Sequence, residues 1–355
     1  MTELYGGYPS GMGRSIDRYH RQKLLPGWGE PVQRRLAGSA ALVVGAGALG
    51  SSSSEILVRA GVGRVAIADR DLVELTNLQR QTLYSEADVG KPKAEAAASR
   101  LRAINSDVVV ESVSEDIRGE RALELAESAD VIVDGTDNFE TRYVLNDAAA
   151  ARGIPLIYGG AIGTVGTVLP VVPSVGPCLR CVSAELPVVT DTCDTAGVLG
   201  AATAIVGARQ ASLALQLLAG MPVAPRIESI DALTGDSTIL DASGLRDPAC
   251  ACCVERRFDF LSIGGEVATV LCGRNSVQLS PPARRSVDAS RVAEALRPHG
   301  DFAAEGGLLR GRFAAEIGET GDPIGLFVFG DGRAIVSGTN DPARARAVYA
   351  RYVGG

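Results

Sequence analysis

Residues 40–69 read AALVVGAGALGSSSSEILVRAGVGRVAIAD, and this stretch decides the fold. Ala40 to Val44 are apolar without interruption, as a strand buried on both faces must be. Gly45-Ala46-Gly47-Ala48-Leu49-Gly50 follows at once, then a helical segment from Ser51 to Ala60, then a second apolar strand, Arg64 to Ala68, that ends on Asp69. A strand, a G-x-G-x-x-G turn, a helix and a second strand closed by an acid make up the nucleotide-binding βαβ unit. Gly45, Gly47 and Gly50 permit a tight turn and close backbone approach to phosphates, and the helix N-terminus supplies oriented N–H donors. Asp69 is placed to accept hydrogen bonds from ribose hydroxyls. By itself the unit specifies an adenosine nucleotide, and most such fingerprints serve NAD or FAD.

The same rhythm continues outward. Apolar runs at Val108–Val113, Val131–Val133 and Ile154–Tyr158 alternate with helical segments at Lys93–Ile104, Arg121–Glu127 and Phe139–Ala151. Alternating strands and helices predict an α/β, Rossmann-like fold: a mainly parallel sheet with helices on both faces. Beyond Tyr158 the chain becomes rich in Gly and Pro, recovers a long apolar helix over Val198–Leu218, and turns a hairpin over Arg226–Leu240 at Thr234-Gly235-Asp236. These features predict a first domain over 1–257, with an N-terminal arm at 1–38. Residues 258–355 read as a small α+β domain: strands at Val267–Leu271, Val277–Leu279, Leu308–Ile317 and Leu326–Phe329, a helix near Ala289–Arg297, and a last helix over Asp341–Tyr352.

Composition narrows the function. In 355 residues, 46% are apolar and the formal charge is −7 with scattered basic residues, so the electrostatic footprint of a nucleic-acid binder is missing. Met1 to Gly13 carries neither a basic nor an apolar leader region, and no run of apolar residues is long enough to span a membrane, so a cytoplasmic protein is expected. Seven cysteines, an odd number without a secretory signal, favour metal or thiol chemistry over a disulfide framework. Only His20 and His299 are present, which disfavours histidine-centred catalysis.

Several charged residues have no use in hydride transfer. Arg80 lies in Asn77-Leu78-Gln79-Arg80-Gln81 after the second strand, Lys93 opens a helix after Gly90-Lys91-Pro92, and Asp137 follows the fourth strand in Asp134-Gly135-Thr136-Asp137-Asn138. In an open parallel sheet, ligands sit beyond the carboxyl ends of the strands, where Asp69, Arg80 and Asp137 all fall. Arg80 and Lys93 suit the phosphates of a triphosphate, and Asp137 suits Mg²⁺, which is held by one or two carboxylates together with phosphates and water.

With Arg18-Tyr19-His20-Arg21-Gln22, these segments resemble, in order and spacing, the ThiF/MoeB branch of the ubiquitin-activating-enzyme-like family, over residues 18 to about 253. The resemblance implies ATP-dependent adenylylation of the C-terminal Gly-Gly carboxylate of a small ubiquitin-like sulfur-carrier protein. It implies Gly47 and Asp69 on the nucleotide, Thr76, Asn77, Leu78, Gln79 and Arg80 with Lys93 on ribose and phosphates, Asn138 among the nucleotide contacts, and Asp137 on Mg²⁺. Arg21 resembles an arm arginine that reaches the neighbouring subunit's nucleotide, which implies a homodimer. A sulfur donor, such as a cysteine desulfurase or a rhodanese, is the further partner implied. The serines at Ser51–Ser54 stand where relatives place small apolar residues or Cys, and are expected to cap the helix or meet phosphate. Two rivals are an NAD-dependent oxidoreductase, which leaves Arg80, Lys93 and Asp137 idle, and a non-catalytic protein-binding relative.

Cys178-Leu179-Arg180-Cys181 and Cys250-Ala251-Cys252-Cys253 supply two C-x-x-C pairs far apart in sequence, the pattern of a four-thiolate structural Zn²⁺. Cys250 and Cys253 repeat the gap of the first pair, so Cys252 is expected to point away from the metal. Cys193, in Thr190-Asp191-Thr192-Cys193-Asp194, is by resemblance a candidate to receive the activated carrier, although Asp191 and Asp194 oppose a lowered thiol pKa. Cys272 reads as packing. No rhodanese-like domain is legible after Phe258, and a terminal helix before Gly354-Gly355 argues against those glycines being an activated tail.

Overall fold

The computed structural model of the chain describes residues 17–183, 197–262, 267–271, 275–280 and 286–353. Cys193 with its neighbours 190–194, Cys272, the leader at 1–13 and Gly354-Gly355 lie outside the described residues. Two helices, α1 (His20–Lys23) and α2 (Gly29–Ala37), precede β1 (Ala40–Val44). There follow α3 (Ala48–Ala60), β2 (Arg64–Ala68), α4 (Lys93–Ile104), β3 (Val109–Val113), α5 (Gly119–Glu127), β4 (Val131–Asp134) and α6 (Phe139–Arg152). Next come β5 (Leu156–Ile162), β6 (Val165–Val171), the single turn α7 (Leu179–Val182), α8 (Gly200–Leu218), β7 (Arg226–Asp231) and β8 (Ser237–Asp241).

The eight strands form one sheet in the order β3-β2-β1-β4-β5-β6-β7-β8. Pairing is parallel from β3 to β5 and antiparallel from β5 to β8. Because strand side chains alternate between faces, Ala41 and Val43 enter one apolar layer with Leu57 of α3, Leu101 of α4 and Leu213 of α8. Leu42 and Val44 enter the other, with Leu125 of α5 and Leu145 of α6. The expected mainly parallel sheet, covered on both faces, is what the structure shows.

A second, wholly antiparallel sheet is built from β9 (Val267–Leu271), β10 (Ser276–Ser280), β11 (Gly300–Glu305), β12 (Leu308–Ile317), β13 (Pro323–Val328) and β14 (Ala334–Ser337), in the order β11-β12-β13-β14-β10-β9. Helices α9 (Ala289–Leu296) and α10 (Pro342–Tyr352) cover one face, where Leu296 and Val348 pack with Val277 and Leu326. Elsewhere on this sheet, Leu308, Phe329 and Ile335 enclose Leu72, from the chain just after β2.

Two strands of this second sheet escaped the sequence reading. The run Gly300–Glu305 has too little apolar content to declare itself, yet Gly306 and Gly307 take φ of +58° and +81° and join it to β12 in a two-residue hairpin turn of the kind glycine pairs favour. The short β14 is recognisable only by its pairing between β13 and β10.

The serine run also behaves differently from expectation. Helix α3 begins at Ala48, with Gly47 as N-cap, so Ser51 to Ser54 lie inside the helix rather than at its start. Ser51, Ser53 and Ser54 are fully buried, and their hydroxyls donate back to the carbonyls of Ala46, Gly50 and Ser51. They do not cap the helix. Gly50 sits where the helix passes the turn: a Cβ there would overlap the Gly45 carbonyl oxygen. Gly50→Ala should therefore destabilise the chain by about 1–3 kcal/mol through overpacking; an unchanged thermal midpoint would contradict this close approach.

Candidate functional site

The carboxyl ends of β1, β2 and β4 open into a cavity of about 490 Å³. Its floor is the glycine turn. Gly45 has φ of +90°, and a Cβ on it would overlap Gly135 after β4, so the two strand ends approach backbone to backbone. Gly45 and Gly47 line the cavity, whereas Gly50 supports the turn from behind.

One side of the cavity is acidic and cationic together. Asp69 accepts from the Ala46 N–H at 2.7 Å and the Asp71 N–H at 2.7 Å. Burial pushes its carboxyl upward; Lys93 opposes that, and the Asp71 charge adds to it. The Lys93 ammonium, with only 4% of its side chain exposed, lies 3.2 Å from the Asp71 carboxylate. Tyr84 ties this arrangement to the glycine turn: its buried hydroxyl lies 2.7 Å from the Ala46 carbonyl oxygen and 3.2 Å from that of Lys93. Burial raises the Tyr84 phenol well above its usual value, so it stays a neutral donor.

The opposite wall is organised around Asp134, at the end of β4. Its buried carboxylate accepts from the Thr136 N–H at 2.9 Å and the Thr136 hydroxyl at 2.6 Å. Arg142 Nε stands 3.7 Å from it. Burial raises the Asp134 carboxyl, and the Arg142 charge works against that shift. The Arg142 guanidinium is held between the rings of Phe139 and Tyr158, each centroid 5.0 Å away, and donates to the Thr136 carbonyl at 2.8 Å. Asp137 is exposed on the cavity wall, and Asn138 beside it caps α6 by accepting from the Thr141 N–H at 2.9 Å.

Of the residues expected at the nucleotide, Gly45, Gly47, Asp69, Arg80, Lys93, Asp137 and Asn138 share this one cavity. Thr76, Asn77, Leu78 and Gln79 are not on its wall. They build the turn that carries Arg80 there: the Asn77 side chain accepts from the Glu74 N–H, and the Arg80 guanidinium donates to the Thr76 carbonyl at 3.2 Å. Arg21 is exposed in the short helix α1 and is also absent from this wall.

The cysteine pairs meet on the α6 face of the sheet. The sulfurs of Cys178, Cys181, Cys250 and Cys253 lie within 4.8 Å of one another. Three of the separations are 3.5, 3.6 and 3.8 Å, close to the roughly 3.8 Å edge of a tetrahedron with metal–sulfur bonds of about 2.3 Å. The residues thus fit one tetrahedral metal ion. Cys252 is not one of these four and is fully buried, with the Asn146 amide donating to its sulfur at 3.2 Å. The same Asn146 side chain accepts from the Leu179 N–H at 2.9 Å, so α6 positions both halves of the cluster.

Residues 19–252 match the ThiF family. The chain belongs to that family. It is 44% identical over 341 residues to the Sulfur carrier protein ThiS adenylyltransferase of Bacillus subtilis (strain 168), covering 95% of this chain and 99% of that protein. To the Sulfur carrier protein adenylyltransferase of Thermus thermophilus it is 41% identical over 247 residues, 67% of this chain and 90% of that one. Among solved structures, E. coli MccB with MccA-N7isoASN superposes with a TM-score of 0.59 at 23% identity, covering 67% of this chain and 75% of that one, a likeness of fold.

Sequence reasoning missed Asp71, Asp134 and Arg142. Asp71 follows Asp69 by two residues, and Arg142 lies one helical turn after Asn138, but neither spacing has meaning until the turns place them on the cavity wall. No helix among the described residues is long and apolar enough to cross a membrane. For the cysteines, elemental analysis of purified protein should find metal retained by Cys252→Ser and lost from Cys253→Ser, since only Cys253 belongs to the four-sulfur cluster; retention in both would remove Cys253 from the metal site.

Proposed function

We propose that this chain adenylylates the C-terminal Gly-Gly carboxylate of a small ubiquitin-like sulfur-carrier protein, with ATP as co-substrate. The observation that carries the reading is the convergence of the glycine turn, Asp69, Arg80, Lys93 and Asp137 on one cavity. Membership of the ThiF family supports it, as do the names of relatives that match along nearly their whole length.

The carboxylate of the carrier attacks the α-phosphorus, a P–O bond to it forms, the α–β bridge breaks, and pyrophosphate leaves. No general base is required, because the attacking carboxylate is already ionised near neutrality. The protein's part is therefore positioning and charge stabilisation. Asp69 orients the ribose, while the glycine turn brings backbone N–H groups close to the phosphates. Arg80 and Lys93 attend the phosphate oxygens. The oxygen donors on the wall fit a hard cation, and Asp137 is the residue that would hold Mg²⁺. When bound, Mg²⁺ supplies neutralisation of phosphate charge.

In the same proposal the four-cysteine site holds a structural Zn²⁺, which leaves no coordination position open for catalysis. Arg21 serves a second copy's nucleotide in a homodimer, and the nucleotide chemistry belongs to 1–257 with its arm at 1–38, leaving 258–355 as a separate C-terminal part. Transfer of sulfur to the adenylylated carrier needs a sulfur donor from another protein.

ATP–pyrophosphate exchange in the presence of a Gly-Gly carrier tests the reaction. Lys93→Ala and Asp137→Ala should each reduce exchange by about a hundredfold or more without releasing the cysteine-bound metal, and normal exchange in either would overturn its assignment. MgATP, but not NADH, should raise the melting temperature.

A further inference from the structure

The C-terminal sheet places a buried cation against the back of the nucleotide cavity. Arg333, 4% exposed, has its guanidinium 4.3 Å from the Phe329 ring centroid and 2.8 Å from the Asp331 carboxylate. The other N–H groups of its fork leave the C-terminal sheet: Nη1 donates to the Arg70 carbonyl at 3.1 Å, and Nη2 donates to the Ser114 carbonyl. Arg70 and Ser114 follow the ends of β2 and β3, where the Asp69 N–H donates to the Val113 carbonyl at 3.0 Å. One guanidinium thus bridges two strand ends just past that hydrogen bond, and its planar geometry suits the task better than an ammonium would.

The segment from Asp69 to Leu72 is consequently held from two directions. From the cavity side, Ala46 engages Asp69 and Lys93 engages Asp71. From the far side, Arg333 engages Arg70 while Leu72 is enclosed by Leu308, Phe329 and Ile335. Asp116, on the cavity wall, responds to the same cation: burial opposes its ionisation, but Arg70, Arg118 and Arg333 hold its carboxyl below the usual carboxylate range.

We propose that Arg333 is a positioning residue for the nucleotide site, through which the C-terminal sheet fixes Asp69 for reading the ribose hydroxyls of ATP. It touches no substrate; it acts through the backbone of Arg70 and Ser114. The inference rests on the reading of the cavity as an ATP site, and gives the C-terminal sheet a role in nucleotide selection.

The test compares MgATP with Mg²⁺-2′,3′-dideoxy-ATP, which lacks both ribose hydroxyls, by titration calorimetry on the full chain. The wild type should prefer ATP. Arg333→Gln should weaken ATP on the order of tenfold and the dideoxy nucleotide by less than about twofold, so that the preference collapses. Arg333→Lys, which can reach one carbonyl but not bridge both, should fall between, and it carries the comparison should the glutamine variant fail to fold. Val348→Ala loosens the C-terminal core without touching Arg70 or Ser114, and should keep the wild-type preference even where its melting temperature drops. Equal weakening of both nucleotides by Arg333→Gln, no weakening, or an equal loss of preference in Val348→Ala overturns the inference, as does a wild type that binds ATP without preference. A wild type that binds neither nucleotide refutes the ATP reading instead.

Discussion

Three glycine backbones meet at the head of the large sheet with no side chain between them. A Cβ on Gly45 would overlap Gly135, one on Gly50 would overlap Gly45, and one on Gly135 would crowd both. This junction lets the ends of β1 and β4 and the start of α3 come together, and it lies where the strand order reverses direction, between β1 and β4. An open α/β sheet has its crevice at such a switch point. Everything that faces the cavity is placed relative to that backbone contact, which is why a change as small as one methyl group matters there.

Beside the junction, two cations are held against buried or half-buried acids rather than left to solvent. Lys93 is nearly buried and lies against Asp71; Arg142 is sandwiched between two rings and lies against the buried Asp134. Burying a charge is costly unless it is paired and hydrogen-bonded, so these side chains are locked before any ligand arrives. Preorganisation of this kind suits a reaction whose catalysis is mainly the stabilisation of phosphate charge. The exposed Asp137, at the N-terminal end of α6, is the less constrained of the acids on the wall.

Two remote structures steady this arrangement. The cysteine cluster is tied to α6 through Asn146, and α6 begins beside Asp137 and Asn138. The C-terminal sheet reaches the ends of β2 and β3 through Arg333 and Leu72. Residues on the cavity wall are thus supported from both flanks by groups that do not enter it.

The sequence alone determined the elements whose physics is local or periodic. Continuous apolar runs declared the parallel strands, the spaced glycines declared the turn, Asp69 declared itself by ending β2, and the paired cysteines declared their cluster, because each signal is written in neighbouring residues. Where a signal needed a partner from elsewhere, the sequence was silent or misleading. The serine run looked like a cap, but Gly47 had already turned the chain; that Asn77 accepts from the Glu74 N–H and the Thr76 carbonyl accepts from Arg80, in the turn that delivers Arg80, could not be read from their order alone. Asp71, Arg142 and Arg333 acquire their roles only from side chains and carbonyls that are distant along the chain or meaningless before folding, and β11 and β14 only from the strands beside them. Composition and spacing fix which residues are available, but only the folded backbone decides which charges face one another across a cavity.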